Sequence, residues 1–375
     1  MIRTKRVWGV NMDIIKGLGE ENPLYLENCW YVAAWCHEID IHQVYAITII
    51  NKPVMLYRKA DGTLTAMADQ CCHRHMPLSK GRLEGDDIRC MYHGLKFNPG
   101  GRCIEVPTMK LSGDEVPAQF VVPVYPVAEK HDWIWVWLGD PDKADEALIP
   151  PTTGPDDPDW FMHKGHLDYA AHYALINDNL TDLGHIAYTH QNSFAGGRSD
   201  AYFNQPRVQK IDRGIRVTRW NTNAPRRGYQ KGEAEVYDQF MTYDFIVPGV
   251  LMMFTGMYEA GTAQAVDFGH PAEDMEPDTA SFTSQAVTPM SDASSRYFFS
   301  WGPRMSEHKE NPQIVEGMWT LANKAFGEDK ETIEAQQVNV QWQTGAPMVS
   351  ITDDRGPSLF RKVMDGLIRE EQQAQ

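Results

Sequence analysis

The sequence predicts an α+β protein: an N-terminal all-β domain, then a domain whose antiparallel sheet wraps around long helices. Three observations predict it. From Trp30 to about Leu138 the pattern is that of β-hairpins, with alternating apolar residues between turn formers. Asp140 to Asp159, DPDKADEALIPPTTGPDDPD, carries five prolines and resists regular structure. Beyond it, strand-like segments lie between helix-patterned ones. The domain boundary therefore falls near 150, giving domains 1–150 and 151–375.

The elements follow in order. Arg3, Lys5 and Arg6 make the N-terminus basic, but no apolar core or cleavage site follows, so a secretory signal is not expected. Met12 is an alternative start, because MDIIKGLGEENPLYLENCWYVAAW reads as a clean domain entry. VYAITII and VMLYR flank the turn Asn51-Lys52-Pro53, and Ala60-Asp61-Gly62 leads into TLTAMA. Two loops between Gln70 and Cys103 are expected at hairpin tips, and YPVAEKHDWIWVWLG closes the unit. HLDYAAHYALINDNLTDLGHIAYTH has helical spacing and opens the second domain. RVQKIDRGIRVTRW, YDQFMTYDFIVPGVLMMFTG, SFTSQAVTPMS and SRYFFSWG read as strands. Pro312 to about Val340 reads as a long helix, and SLFRKVMDGLIREEQ as a short amphipathic one.

The 375 residues suit two domains. A formal net charge of −16 argues against nucleic acid or an anionic membrane surface as partner and suits docking to a basic redox protein. All six cysteines lie in the first 103 residues of a chain too long for a disulfide scaffold, which points to reduced thiols and a cytoplasmic home. The most apolar stretch, Phe245 to Met257, is interrupted by Pro248 and Gly249 and is too short to span a bilayer.

The stretch that carries chemistry is QCCHRHMPLSKGRLEGDDIRCMYHGLKFNPGGRC. Cys71 and His73 are separated by one residue, Cys90 and His93 by two, and the pairs by sixteen. Two thiolates and two imidazoles suit a structural zinc or a Rieske 2Fe–2S cluster. The one-residue gap is too tight for a zinc-finger pair, whereas two thiolates on one iron and two imidazoles on the other is the Rieske ligand set. Gly81, Gly94, Gly100 and Gly101 permit tight turns, and Pro77 stiffens the exit from the first pair. Cys72 is expected to point away from the ligands as a small buried hydrophobe, and His75 to be a loop residue.

These loops resemble those of Rieske non-haem iron oxygenases of the vanillate O-demethylase and dicamba monooxygenase type. Respiratory Rieske proteins carry an extra cysteine in each loop, where this chain has Met76 and Tyr92.

A second site follows from the first, because a cluster that moves single electrons needs a destination. Two histidines five residues apart, His185 and His190, are a weak signal alone. On a continuous helix they would point about 140° apart. The string from Asn179 to His190, however, resembles the N-x-x-D-x-x-H-x4-H motif of the same oxygenases at every marked position. The resemblance implies that His185 and His190 bind a mononuclear Fe(II), whose open positions leave room for O2 beside a substrate. It implies that Asp182 bridges His185 to His73 or His93 of a neighbouring subunit in a homotrimer, and it places Asn179 near the iron. The third ligand is a distant carboxylate. Residues 325–331 offer Glu328, Asp329 and Glu331, which helical spacing alone leaves open, and the family's E-D-K string implies Asp329.

No Gly-rich nucleotide fingerprint or plant-type cluster run is present, so electrons from NAD(P)H are expected through a separate reductase, with or without a ferredoxin. The resemblance implies a terminal oxygenase using O2 and two electrons to O-demethylate a methoxylated aromatic acid with release of formaldehyde. Mono- or dihydroxylation of the ring is the alternative within the family, and a non-catalytic electron-transfer protein the alternative outside it. Met252, Met253, Phe254, Phe298 and Trp301 are possible apolar pocket walls.

Overall fold

A computed structural model describes residues 25–41, 43–194, 205–226, 235–342 and 349–374. Arg3, Lys5, Arg6 and Met12 lie outside the described residues. The chain forms two compact units: Glu27–Ile149 with Thr288–Ser291, and Pro150–Val287 with Asp292–Gln375 and the described residues up to Leu26. Among the described residues no helix is long and apolar enough to cross a membrane.

The first unit holds three antiparallel sheets. One orders β1 (Trp30–Trp35), β12 (Trp133–Trp137) and β11 (Val127–Lys130). The second orders β10 (Val124–Tyr125), β4 (Leu64–Ala68), β3 (Lys52–Arg58) and β2 (Val44–Ile49). The third runs in chain order through β5 (Arg82–Glu84), β6 (Asp87–Arg89), β7 (Lys96–Phe97), β8 (Cys103–Val106) and β9 (Leu111–Ser112). A core of Met55, Tyr57, Met67, Leu78, Ile88, Phe97 and Val122 includes the thiols of Cys71 and Cys90. The loop at 90–95 is the expected hairpin tip, between β6 and β7. The loop at 71–77 is not one: it carries the chain from β4 to β5, strands of different sheets. Asp69 holds it closed by accepting from the Ser79 N–H and hydroxyl, both at 2.6 Å.

The second unit is built on a seven-stranded sheet. Its order is β13 (His163–Tyr169), β19 (Ser294–Pro303), β18 (Thr279–Ser291), β17 (Val250–Glu259), β16 (Val236–Ile246), β15 (Gly214–Pro225) and β14 (Arg207–Ile211). The expected single helix over 166–190 is replaced by three elements. Its start belongs to β13, because seven residues there pair with β19, and that ladder outweighs a local helical pattern. The chain then forms α1 (Tyr173–Thr181) and a short α2 (Ile186–Thr189). The His172 ring caps α1, its Nδ1 accepting from the Ala174 N–H at 3.3 Å.

After the single turn α3 (Thr262–Ala265) and α4 (Met305–Glu310) comes α5 (Gln313–Trp342), the predicted long helix. Ile314, Val315, Met318, Ala322, Ala325, Phe326, Ile333 and Gln337 form its buried stripe, at helical spacing. The register of α5 is fixed where Glu334 accepts the Ala170 N–H and Gln337 the His172 N–H, both at 2.8 Å. The C-terminal helix α6 (Arg355–Gln373) is tied to α1 by Arg361, whose Nε donates to Asp178 at 2.7 Å. Gly356 of α6 lies so close to the Thr181 carbonyl that a Cβ would sit 2.3 Å from its oxygen.

Candidate metal centres

The two loops of the first unit share one backbone pattern despite different sequences. In one, Cys71 donates its N–H to Met76 and accepts from His75; in the other, Cys90 donates to Leu95 and accepts from Gly94, at 2.8–3.0 Å throughout. The residue four places after each cysteine must therefore turn left-handed, and does so in both: Gly94 at φ 78° and His75 at φ 55°. His75 is a turn residue, as expected. Arg89 braces the second loop by donating to the Gly94 carbonyl at 2.7 Å while held by Glu84 and Glu105.

This geometry buries the thiols and brings the imidazoles outward. Cys71 and Cys90 are each 1% exposed, whereas His73 is exposed and His93 half-buried, their ring centres 4.5 Å apart. Burial pushes the Cys71 thiol up to about 12, and the adjacent Cys90 thiol adds to that. Burial also lowers His93. His93 Nδ1 is buried with no hydrogen-bond partner. A buried thiol pair beneath an imidazole pair, with one ring nitrogen left orphaned, fits a 2Fe–2S cluster of mixed ligands. Cys72 is half-buried and packs against this core, and all six cysteines are free.

The second centre forms where α1 ends. Asp182 terminates α1 in extended conformation, ψ 116°, and His185 begins the next turn. The three-residue spacing of Asp182 and His185 predicts a shared helix face, but the two residues stand at the ends of different helices. His185 and His190 cap the two ends of the short α2, with ring centres 5.2 Å apart. Asp329 completes the set from α5, and one ligand atom from each of the three lies within 4.8 Å of the others. Asp329 Oδ1 is 3.7 Å from His185 Nε2, 3.2 Å from His190 Nε2 and 3.0 Å from the Asn179 amide that donates to it.

Glu328 faces the far side of the same imidazole, 3.0 Å from His190 Nδ1, while Glu331 is exposed. Asp182 Oδ2 stands 3.9 Å from His185 Nδ1. Burial lowers His185 despite the nearby Asp329 and Asp182 carboxylates. Burial pulls His190 down too, but Asp329 and then Glu328 outweigh it and hold the ring above its ordinary value. Burial raises Asp182. Two imidazoles and a carboxylate on one side of a shared space fit a non-haem Fe(II) with open positions.

A cavity of about 160 Å³ opens beside these three residues. Its floor is one face of the sheet: Gln239, Met241 and Tyr243 of β16, Leu251, Met253, Thr255 and Met257 of β17, and Thr283 and Gln285 of β18. Met253 and Trp301 line it as anticipated; Met252, Phe254 and Phe298 do not. All residues of β17 that line it are odd-numbered, so Met252 and Phe254 project from the opposite face. The polar members Gln239, Thr283 and Gln285 were not anticipated, although their alternation on the strand sequences was visible.

Comparison with known proteins bears on both centres. Residues 29–126 match the Rieske [2Fe-2S] domain, and residues 169–370 match the vanillate O-demethylase oxygenase C-terminal domain. The chain is 34% identical to the iron–sulfur subunit of a toluene-4-sulfonate monooxygenase system from Comamonas testosteroni, over 93% of this chain and 98% of that protein. It is 29% identical to the vanillate O-demethylase oxygenase subunit of Pseudomonas sp. (strain HR199 / DSM 7063), over 94% and 97%. Dicamba monooxygenase bound to 3,6-dichlorosalicylic acid superposes with a TM-score of 0.80 at 27% identity, over 93% of this chain and 99% of that one.

Proposed function

The chain belongs to the Rieske non-haem iron oxygenases of the vanillate O-demethylase type, and we propose that it O-demethylates a methoxylated aromatic acid with release of formaldehyde. The observation that carries this reading is the apolar cavity opening directly beside His185, His190 and Asp329. As an oxygenase component it takes electrons from a separate reductase, which sets aside the non-catalytic electron carrier. Cys71, His73, Cys90 and His93 hold the cluster; His185, His190 and Asp329 hold the iron. The unit built on Glu27–Ile149 is the cluster domain, and the unit built on Pro150–Val287 and Asp292–Gln375 the catalytic one. When bound, the two groups supply one-electron transfer and activation of O2.

The chain's own residues do the rest. The Asn179 amide fixes the Asp329 carboxylate. Met241, Met253, Trp301 and Phe326 exclude water from the reacting carbon, and Gln239, Thr283 and Gln285 offer hydrogen bonds to a polar ring substituent. The overall step balances: an aryl methyl ether, O2, two electrons and two protons give a hemiacetal and water. The hemiacetal then collapses to a phenol and formaldehyde.

Asp182 links His185 to a cluster histidine of a second copy in a homotrimer, a head-to-tail ring. The buried His185 Nδ1, which has no hydrogen-bond partner, supports a shared arrangement of this kind. A ferredoxin between reductase and oxygenase, and a cytoplasmic location, complete the proposal; six free cysteines support the latter.

A second reading, hydroxylation of a methyl group on an arene sulfonate, is favoured by the 34% identical toluene-4-sulfonate relative. Reconstitution with a reductase decides between them. Methoxybenzoates yielding formaldehyde and phenol in equal amounts support demethylation. A hydroxymethyl product without formaldehyde supports the second reading, and a ring-hydroxylated product overturns both.

A further inference from the structure

We propose that Glu328 is a positioning residue for the mononuclear iron: it holds the His190 ring in the tautomer and orientation that present Nε2 to the metal. This rests on the reading of His185, His190 and Asp329 as ligands. A neutral imidazole carries one proton, and the nitrogen that carries it cannot bind a metal. Glu328 Oε2 lies 3.0 Å from His190 Nδ1, and an ionised carboxylate can only accept. With the Asp329 carboxylate, 3.2 Å from Nε2, taken up by the metal, Glu328 is the acceptor that keeps the proton on Nδ1 and leaves the lone pair on Nε2.

Neighbouring residues on a helix point about 100° apart. That is how two consecutive acids reach opposite sides of one ring, Asp329 from the buried stripe and Glu328 from its margin. The Glu328 oxygen is itself fixed, since the Ser193 hydroxyl donates to it at 2.6 Å. Ser193 in turn donates its N–H to the His190 carbonyl at 3.0 Å, and Lys324 of α5 donates to the Asn192 carbonyl at 2.6 Å. The turn after His190 is thus tied to α5 at two points, Asn192 to Lys324 and Ser193 to Glu328. His190 is 2% exposed, so water does not compete for Nδ1.

The contrast with His185 sharpens the assignment. Its carboxylate, Asp182, stands 3.9 Å away. The chain supplies a complete outer partner to one ligand histidine and an open one to the other.

The test is anaerobic Fe(II) binding by the full chain with its cluster in place, measured by competition with a chelator. Wild type, His190→Ala, Glu328→Leu, Glu328→Gln and Ser193→Ala are compared, with melting temperature and cluster absorption as checks on folding. Glu328→Leu is expected to weaken Fe(II) binding about 10- to 100-fold with the cluster spectrum unchanged. Glu328→Gln keeps an acceptor of the same shape and is expected to recover much of the loss, a rescue that simple packing would not predict. Fe(II) affinity of Glu328→Leu within twofold of wild type overturns the proposal. If that variant fails to fold, Glu328→Ala decides, Fe(II) affinity within twofold of wild type overturning the proposal and weaker binding that Glu328→Gln restores supporting it. Cobalt(II) absorption at the same site gives a second readout: a changed ligand field in the Glu328 variants supports the proposal and an unchanged one counts against it. If wild type binds no Fe(II) beyond its cluster, the ligand assignment falls first and this proposal with it.

Discussion

Asp182 Oδ2 lies 3.9 Å from His185 Nδ1, beyond hydrogen-bond reach, and that nitrogen is buried without a hydrogen-bond partner. The other Asp182 oxygen is engaged, accepting the Gly184 N–H at 2.6 Å. The carboxylate therefore has one oxygen fixed to its own loop and one free to turn toward a further group. Asp182→Asn keeps the acceptor for Gly184 and removes only the charge. The expected result is unchanged cluster absorption and iron content with turnover reduced about 10- to 100-fold. Wild-type turnover in this variant would remove Asp182 from the electron path.

Metal content tests the two centres separately. Wild type is expected to hold about three irons per chain, two in the cluster and one beyond it. His185→Ala is expected to hold about two, with the cluster spectrum intact, because its ring lies only in the second centre. An unchanged iron count in the variant would show that the three residues near α2 and α5 do not hold the metal.

Part of this architecture was legible in the chain. The strand signals of β15 to β19 survive in the structure because each strand is long and paired on both sides, so period-two alternation dominates. Helical spacing left Asp329 open against Glu328 and Glu331; the structure seats it in the buried series Met318, Ala322, Ala325, Ile333, Gln337, while Glu331 is exposed. Residues 166–169 were misread because pairing with β19, more than 120 residues away, overrides their local helical spacing. The partnership of Glu328 with His190 was invisible for the same reason, since it joins residues 138 apart.

Tyr243 gives a prediction about binding. It lines the cavity, is 2% exposed, and its hydroxyl has no hydrogen-bond partner. A buried unpaired hydroxyl costs about 1–3 kcal/mol. Tyr243→Phe is therefore expected to melt at the same temperature as wild type or higher. If the hydroxyl meets the substrate, KM rises about 5- to 100-fold with little change in melting temperature. A variant less stable than wild type would mean that the hydroxyl already has a structural partner.

His172 predicts an acid sensitivity that is separable from the metal sites. Its ring is 2% exposed beside Tyr25 and Tyr173, and Nε2 has no partner. Burial lowers its pKa to about 4, only partly opposed by Asp292. The unfolded chain thus binds a proton near pH 6.5 that the folded chain refuses until about pH 4. Stability is present above the higher value and is lost as pH falls through that window. Between pH 7 and 4.5 the loss from this group alone is about 2 kcal/mol. His172→Asn retains an acceptor for the Ala174 N–H at the start of α1 and removes the titrating group. The variant is expected to lose less melting temperature than wild type over that range, in metal-free samples of both. Equal losses would place the acid-sensitive group elsewhere in the fold.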